Sequence, residues 1–341
     1  MKTLRAGDWV EVRTPEEILA TLDKEGCLDS LPFMPEMMQY CGKTFPISKS
    51  AHKSCNTLGG GGIRRMADAV HLERLRCDGT SHGGCQAACL LFWKTAWLKP
   101  VAAPDTGRAR ADAPRQVTGP SAGRACSFET LVHATRAMGP EGAGTGECFR
   151  CQATEHRRAT SKALWWDPRL YVMDLITKNV RPWDLLRYAL LAGLNVVLRL
   201  AGQRTHPNIR GLAGARTPTA DLHLQPGEWV RVRSKIEIMH TLNEASRNRG
   251  LVFDVEMLPF CGRAFRVLRR VERLIDERSG WMIQPRMACI ILEGATCSGC
   301  YSRDRLFCPR SIYPYWHEIW LERVHPVDRP SGRTDAANAS G

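Results

Sequence analysis

The chain has 341 residues, of which 43% are hydrophobic and 24% charged, and its formal net charge is +13. This length exceeds one typical domain of about 100–200 residues, and the composition is that of a globular protein, so two or three units are expected. The excess charge is spread along the chain, at +2 for residues 1–101, +7 for 102–225 and +4 for 226–341, which argues against the single basic stripe of a nucleic-acid binder.

The first segment, "GDWVEVRTPEEIL", alternates apolar and polar residues over Trp9–Val12 and predicts a half-buried strand. Thr14, Pro15 and Glu17 then spell a helix start with a capping box, and about two turns are expected, burying Ile18, Leu19 and Leu22. The phrase returns 220 residues later as "GEWVRVRSKIEIM", with Ser234 and Glu237 keeping the box. Sixteen of the 39 positions from 7 to 45, Glu36 among them, are identical at this offset without a gap. Leu72, Glu73 and Cys77 match Leu292, Glu293 and Cys297. After a three-residue gain Cys85, Trp93 and Trp97 match Cys308, Trp316 and Trp320. The chain is therefore an internal duplication.

Further strands are predicted at 44–48, 70–75 and 96–101, and at 264–270, 288–294 and 318–324. The expected fold class is α+β, with two duplicated small β-barrel-like domains of SH3-like kind, each with an inserted helix. A helical segment is expected to separate them. The divisions read as a first cysteine-rich repeat (1–101), a Pro/Gly/Ala/Arg-rich flexible linker (102–146) and a CxxC plus helical segment (147–202). A second linker (203–225), the second repeat (226–326) and a disordered tail (327–341) follow. Residues 167–202 read as two helices broken near Pro182, with Gly202 as C-cap.

"MKTLRAGDWVEV" lacks the apolar run of a secretory signal, and "YALLAGLNVVLRLAG" (188–202) is too short for a membrane span of roughly 20 apolar residues. A reducing cytoplasm is thus expected. There, 14 cysteines point to metal or redox chemistry before disulfides. Three recur in register, as Cys41/Cys261, Cys77/Cys297 and Cys85/Cys308. Four Cys or His ligands usually hold structural zinc. In the second repeat Cys300 of "CSGC" is the candidate fourth ligand. The first repeat offers Cys55, Cys89, His52, His71 or His82. Cys148, Cys151 and His156 of "CFRCQATEH" form a further candidate set. The surplus of ligands in the first repeat also suits iron, an iron–sulfur cluster or two metals. The second repeat has no counterpart of the three histidines, and Ile291 stands where His71 would be.

Other motifs have plainer readings. "LGGGGIRRM" (58–66) lacks the Gly-Lys-Ser/Thr ending of a phosphate loop and reads as a flexible hairpin. "RVLRRVERLIDER" (266–278) reads as a solvated face, with phosphate binding as the alternative. The recurring Trp pairs read as core. Leu185–Leu200 is amphipathic enough to lie on a membrane or another subunit, with packing inside its own domain as the default.

At "MPEMMQYCGKTF", "AHKSC", "VHLERLRCDGTSHGGCQAACLLFWKTAWLKPV", "CFRCQATEHRRATS", "WWDPRLYVMDL" and "FCPRSIYPYWHEIWLERV" the chain resembles a family of uncharacterised, cysteine-rich bacterial proteins. The resemblance spans most of the chain and implies a bacterial cytoplasmic protein. It carries no activity with it and assigns no role to Arg157, Arg158 or Ala163–Trp166.

Together these features lead us to expect a metal-stabilised duplicated binding or accessory protein, with zinc as the metal and a protein or small molecule as partner. The alternatives are a Cys/His-ligated metalloenzyme or iron–sulfur redox protein with its active site in the first repeat, and a nucleic-acid-binding protein. The sequence singles out no catalytic residue.

Overall fold

The computed structural model describes residues 3–58, 62–103, 126–137, 146–214, 216–287, 289–302 and 305–324. Most of the expected linker 102–146 and the tail 327–341 lie outside the described residues. Two compact units are formed. The first comprises Met1–His206, Arg273–Gln284 and Ser298–Ile312, and the second Pro207–Glu272, Pro285–Cys297 and Tyr313–Gly341. The boundaries therefore differ from those expected in two ways. Residues 147–202 belong with the first repeat rather than standing apart, and two stretches of the second repeat, 273–284 and 298–312, also count with the first unit.

In chain order the elements begin with β1 (Trp9–Val12), α1 (Pro15–Leu19), β2 (Cys27–Leu28), β3 (Leu31–Pro32), β4 (Thr44–Ser50), β5 (Lys53–Cys55) and β6 (Ile63–Arg65). They continue with β7 (Ala69–Leu72), β8 (Trp93–Lys94), β9 (Leu98–Val101), α2 (Phe128–Ala134), β10 (Ser161–Ala163), α3 (Pro168–Ile176) and α4 (Pro182–Leu200). The rest are β11 (Trp229–Val232), α5 (Lys235–Met239), β12 (Arg247–Asn248), β13 (Leu251–Val252), β14 (Ala264–Val271), β15 (Leu274–Ile275), β16 (Met282–Ile283), β17 (Cys289–Leu292), β18 (Trp316–His317) and β19 (Leu321–Arg323).

Each unit contains a five-stranded antiparallel sheet, in the order β8-β7-β4-β1-β9 in the first and β18-β17-β14-β11-β19 in the second. Registers agree at the offset of 220, with Val10 opposite Phe45 and Val230 opposite Phe265. Both long strands carry an irregularity at the same place, between Ile47 and Lys49 and between Val267 and Arg269. The alternation read from the sequence is real: Val10, Val12, Val230 and Val232 are fully buried. The ladders are open, and the barrel closure expected of an SH3-like fold is not seen. The architecture is mixed α and β with two similar open sheets.

The capping boxes form as predicted, with Thr14 Oγ1 accepting from the Glu17 N–H at 3.3 Å and Ser234 Oγ from the Glu237 N–H at 3.3 Å. Each helix is only five residues long, because the chain leaves helical geometry soon after burying Ile18 or Ile238. Aromatic packing closes both cores. Phe33 meets Trp93 and Trp97 edge-on at 6.2 and 5.1 Å, and Phe253 meets Trp316 and Trp320 at 6.1 and 5.2 Å. Each second tryptophan also donates its indole N–H to a threonine, Trp97 to Thr21 and Trp320 to Thr241, so the recurring pairs are core, as read.

The break at Pro182 separates α3 from α4, and α4 ends as predicted. Gly202 adopts φ +67, a left-handed conformation that glycine takes without strain. Its N–H reaches the Arg199 carbonyl at 3.0 Å while the Gln203 N–H reaches Leu198 at 2.7 Å, the paired bonds of a Schellman end. The described residues of 203–225 lack regular structure, but the last part is not loose. Leu224 is fully buried, and the N–H groups of Leu222 and Leu224 donate to the Glu318 carboxylate at 2.7 and 2.9 Å.

β5 explains why residues 147–202 join the first repeat. It pairs with β6 as the expected hairpin, and β6 pairs with β10. Lys53 is 1% exposed. It forms a short ion pair with the buried Asp174 of α3, and its ammonium lies 4.5 Å from the Tyr171 ring centroid. Burial pushes the Asp174 carboxyl up and the Lys53 ammonium down, each only partly offset by its partner. Removing one member strands the other. Asp174→Ala is therefore expected to cost about 3–5 kcal/mol, and the double variant Lys53→Met/Asp174→Leu markedly less than the sum of the single changes. Urea denaturation of the four proteins measures this, and additive costs would rule the coupling out.

Candidate metal centre

Three side chains from separate parts of the first repeat converge in its core. Glu36 sits in the first turn of the 3-10 helix Pro35–Tyr40, which follows the extended Met34. Cys77 and His82 lie in the loop after β7. That loop is held by the Cys77 N–H bonded to the Cys89 carbonyl at 2.8 Å, and by the His82 and Gly84 N–H groups bonded to the Gly79 carbonyl at 3.0 and 2.9 Å. Position 79 requires glycine: its φ is +80, and a Cβ there would lie 2.0 Å from the Cys85 carbonyl oxygen.

The ligand atoms of Glu36, Cys77 and His82 all lie within 4.8 Å of one another. The Cys77 thiol donates to Glu36 Oε1 at 3.1 Å. His82 Nδ1 lies 3.0 Å from the same oxygen, yet it is out of line for a hydrogen bond, and Glu36 Oε2 is buried without a partner. The other ring nitrogen of His82 is 3.2 Å from the Arg150 carbonyl. A carbonyl only accepts, so Nε2 carries a proton. Burial pushes the Glu36 carboxyl up, but His82 outweighs it and the net direction is down. Burial and the adjacent carboxylate hold the Cys77 thiol well above its ordinary range.

This donor set could hold a metal ion. Tetrahedral zinc with bonds of about 2.0–2.3 Å sets its ligand atoms about 3.3–3.7 Å apart, so separations of 3.0 and 3.1 Å need only a few tenths of an ångström of relaxation. Among the sequence candidates Cys77 and His82 belong to the centre. Glu36 was missed as a ligand. The signal was available, because Glu36 is one of the sixteen identities of the duplication and stands inside the apolar phrase "FMPEMM". A carboxylate kept at a buried position needs a partner.

Within the first unit, Cys41, Cys77 and Cys85 do not gather at ligand distance. Cys41 caps the Pro35–Tyr40 turn, half-buried, and burial raises its thiol to about 11, as it does for Cys261. The Cys85 sulfur accepts the Ile275 N–H at 3.4 Å. Cys261 and Cys297 belong to the second unit, whereas Cys300 and Cys308 belong to the first. The Cys300 thiol donates to the Ser298 carbonyl at 3.6 Å. Nor do Cys148, Cys151 and His156 form one set. The Cys148 thiol reaches the Ser279 carbonyl at 3.5 Å, Cys151 is buried with its thiol raised to about 12, and His156 Nε2 lies 2.7 Å from the Ser54 hydroxyl. Cys55 donates its backbone N–H to the Cys308 sulfur at 3.1 Å, above the buried Arg310. Hydrogen bonding from the Cys308 thiol draws the Cys55 thiol down, and burial pushes Cys308 up. Cys89 is half-buried, and its thiol is likewise pushed up by burial. None of the 14 cysteines is in a disulfide.

The other sequence-selected histidines are structural. His52 Nε2 bonds the Leu170 carbonyl at 3.0 Å. His71 Nδ1 bonds the Leu91 carbonyl at 2.8 Å and the residue is fully buried. The arginine run is not a uniform patch either. Arg270 pairs with Glu318 at 2.5 Å, and Arg273 lies 3.3 Å from Glu147. No protein-family model matches the chain, and no curated protein matches it.

Burial lowers His71 to about 3 and His156 to about 2. Both values lie below the ordinary 6.5, so under pH 6.5 the unfolded chain takes up protons that the folded one refuses. Stability therefore falls as pH drops from 6.5 toward 3. At pH 5 the loss is about 2 kcal/mol for each histidine, whatever its exact folded value. Urea midpoints at pH 7 and 5 are expected to show this loss, and His71→Ile, which installs the second repeat's residue, to shrink it. A pH-independent midpoint would contradict the burial of these rings as neutral species.

Proposed function

We propose that the first repeat holds one zinc ion through Glu36, Cys77 and His82, and that the chain is a metal-stabilised duplicated protein acting as a binding or accessory factor. The observation that carries this reading is the burial of the donors, with the side chains of Glu36 and His82 only 2% and 1% exposed. A reaction centre has to admit substrate, whereas a cross-link does not. Here the ion would tie the 3-10 turn after Met34 to the long loop 73–92, which has little regular structure to hold it. Thiolate, imidazole and carboxylate together suit zinc better than the hard cations calcium or magnesium.

A second reading keeps a specific support. Three protein donors leave one position of a tetrahedron for water or substrate, the coordination of catalytic zinc. In that case the ion would act as a Lewis acid, and His82 would remain a ligand rather than a base. Iron is the alternative occupant, and charge-transfer absorption would reveal it.

Elemental analysis of the purified full-length chain, with zinc competed against a chromophoric chelator, tests the proposal. One tightly held zinc is expected at this centre. Cys77→Ser, His82→Ala and Glu36→Gln should each weaken it by at least about 10–100-fold and lower the melting temperature of the zinc-loaded protein toward that of the metal-free one. Unchanged zinc affinity in all three variants would overturn it.

A further inference from the structure

Among the described residues, 19 large hydrophobic side chains are exposed, and 12 of them fall between 164 and 200. Most lie on α4, a 19-residue helix with no buried residue. Trp183, Leu186, Leu190, Leu194, Val197 and Leu200 are between 49% and 85% exposed. At 100° per residue they fall in one stripe roughly 120° wide. The less exposed positions, Asp184, Tyr188, Leu191 and Asn195, lie on the opposite side. That side leans on the first unit, where the Tyr188 ring meets Tyr301 and Phe307 edge-on at 5.7 and 5.8 Å and Asn195 bonds both polar backbone groups of His206. The usual arrangement of a surface helix is reversed: its apolar stripe points away from its own protein.

The charge around the stripe is one-sided. Between 178 and 204 there are five basic residues, Lys178, Arg181, Arg187, Arg199 and Arg204, and one acidic residue, Asp184. Arg187 flanks the stripe, and the other four stand at or beyond the helix ends. A second copy of the same helix would bring like charges together. An anionic bilayer surface would meet them with opposite charge. Trp183 on the stripe, 73% exposed, supplies an amphipathic ring of the kind that settles at the headgroup level. The helix is about 28 Å long, and no helix of the described residues is long and apolar enough to cross a membrane. It suits lying in the interface, apolar stripe down.

We infer that α4 and its basic flanks form a docking surface for an anionic lipid bilayer. Binding is peripheral: the stripe enters the boundary between headgroups and acyl chains while Arg187 beside it and Lys178, Arg181 and Arg204 beyond the helix ends engage lipid phosphates. This inference does not depend on the metal centre.

Flotation of the full-length protein with vesicles tests it, using neutral phosphatidylcholine alone or mixed with anionic phosphatidylglycerol. The protein should float with the mixed vesicles and far less with neutral ones, and added salt should weaken binding. Leu190→Asp/Val197→Asp should reduce partitioning at least about tenfold. Arg181→Gln/Arg187→Gln/Arg204→Gln should remove much of the preference for anionic lipid. All these residues are exposed, so the melting temperature should not move, which separates lost docking from misfolding. Three outcomes would overturn the inference: no flotation with either vesicle, equal binding to both, or a solution dimer that Leu190→Asp/Val197→Asp converts to monomer.

Discussion

A carboxylate placed out of reach of water is the constraint around which the first repeat is arranged. Leaving an ionised Glu36 unpaired in the core would cost several kcal/mol, more than a single good packing contact returns. The fold therefore brings a thiol and an imidazole to the same oxygen, and the loop 73–92 has to adopt a fixed path to deliver them. Gly79 makes that path possible, since any side chain there would collide with the Cys85 carbonyl. The second repeat also buries its equivalent glutamate, Glu256, to 3% exposure. A buried carboxylate is thus part of the scaffold in both copies, while the histidine belongs to the first alone.

The same logic recurs on β5. In "HKSC" four successive residues are each bonded to a group far away in the sequence. His52 bonds to Leu170, Lys53 to Asp174, Ser54 to His156, and the Cys55 N–H to the Cys308 sulfur. Apolar contacts tolerate sliding, but buried polar partners do not, because a slip of one residue leaves each of them unsatisfied. These bonds fix where residues 147–202 and 298–312 sit on the first repeat. The Ser54 bond also holds the His156 ring in the core, where it is 2% exposed.

Local chemistry was legible in the sequence, and long-range assembly was not. The alternation of "WVEV", the capping boxes, the break at Pro182 and the glycine stop at Gly202 depend on neighbours within a few residues, and each appears where read. The first repeat's cysteine triplet stays apart for a physical reason. Recurrence in register marks equivalent places in a scaffold, and a half-buried thiol such as Cys41 or Cys261 occupies its place by packing as well as a ligand would. Of the centre, Cys77 and His82 were visible by type. Glu36 was legible only through its recurrence as Glu256 inside an apolar phrase, because a glutamate is ordinarily a surface residue. Unit boundaries were hardest, since the assignment of 273–284 and 298–312 depends on contacts that no local pattern encodes.

Helix α4 raises a separate question of what holds it. An isolated helix of this length is marginal in water, and this one buries no side chain. Its support is instead at its ends and along one edge: Pro182 in the first turn, Arg199 near the negative end of the dipole, the Gly202 stop, and the Tyr188 and Asn195 contacts. Such support orders a helix without requiring its apolar stripe to be covered. A chain optimised only for solubility would replace the leucines of that stripe with polar residues at little cost to folding, because none of them packs in the core. Their presence is therefore not explained by the stability of the first unit. The proposed bilayer contact would give them a role, and the basic residues beside the stripe and beyond the helix ends favour a surface of negative charge.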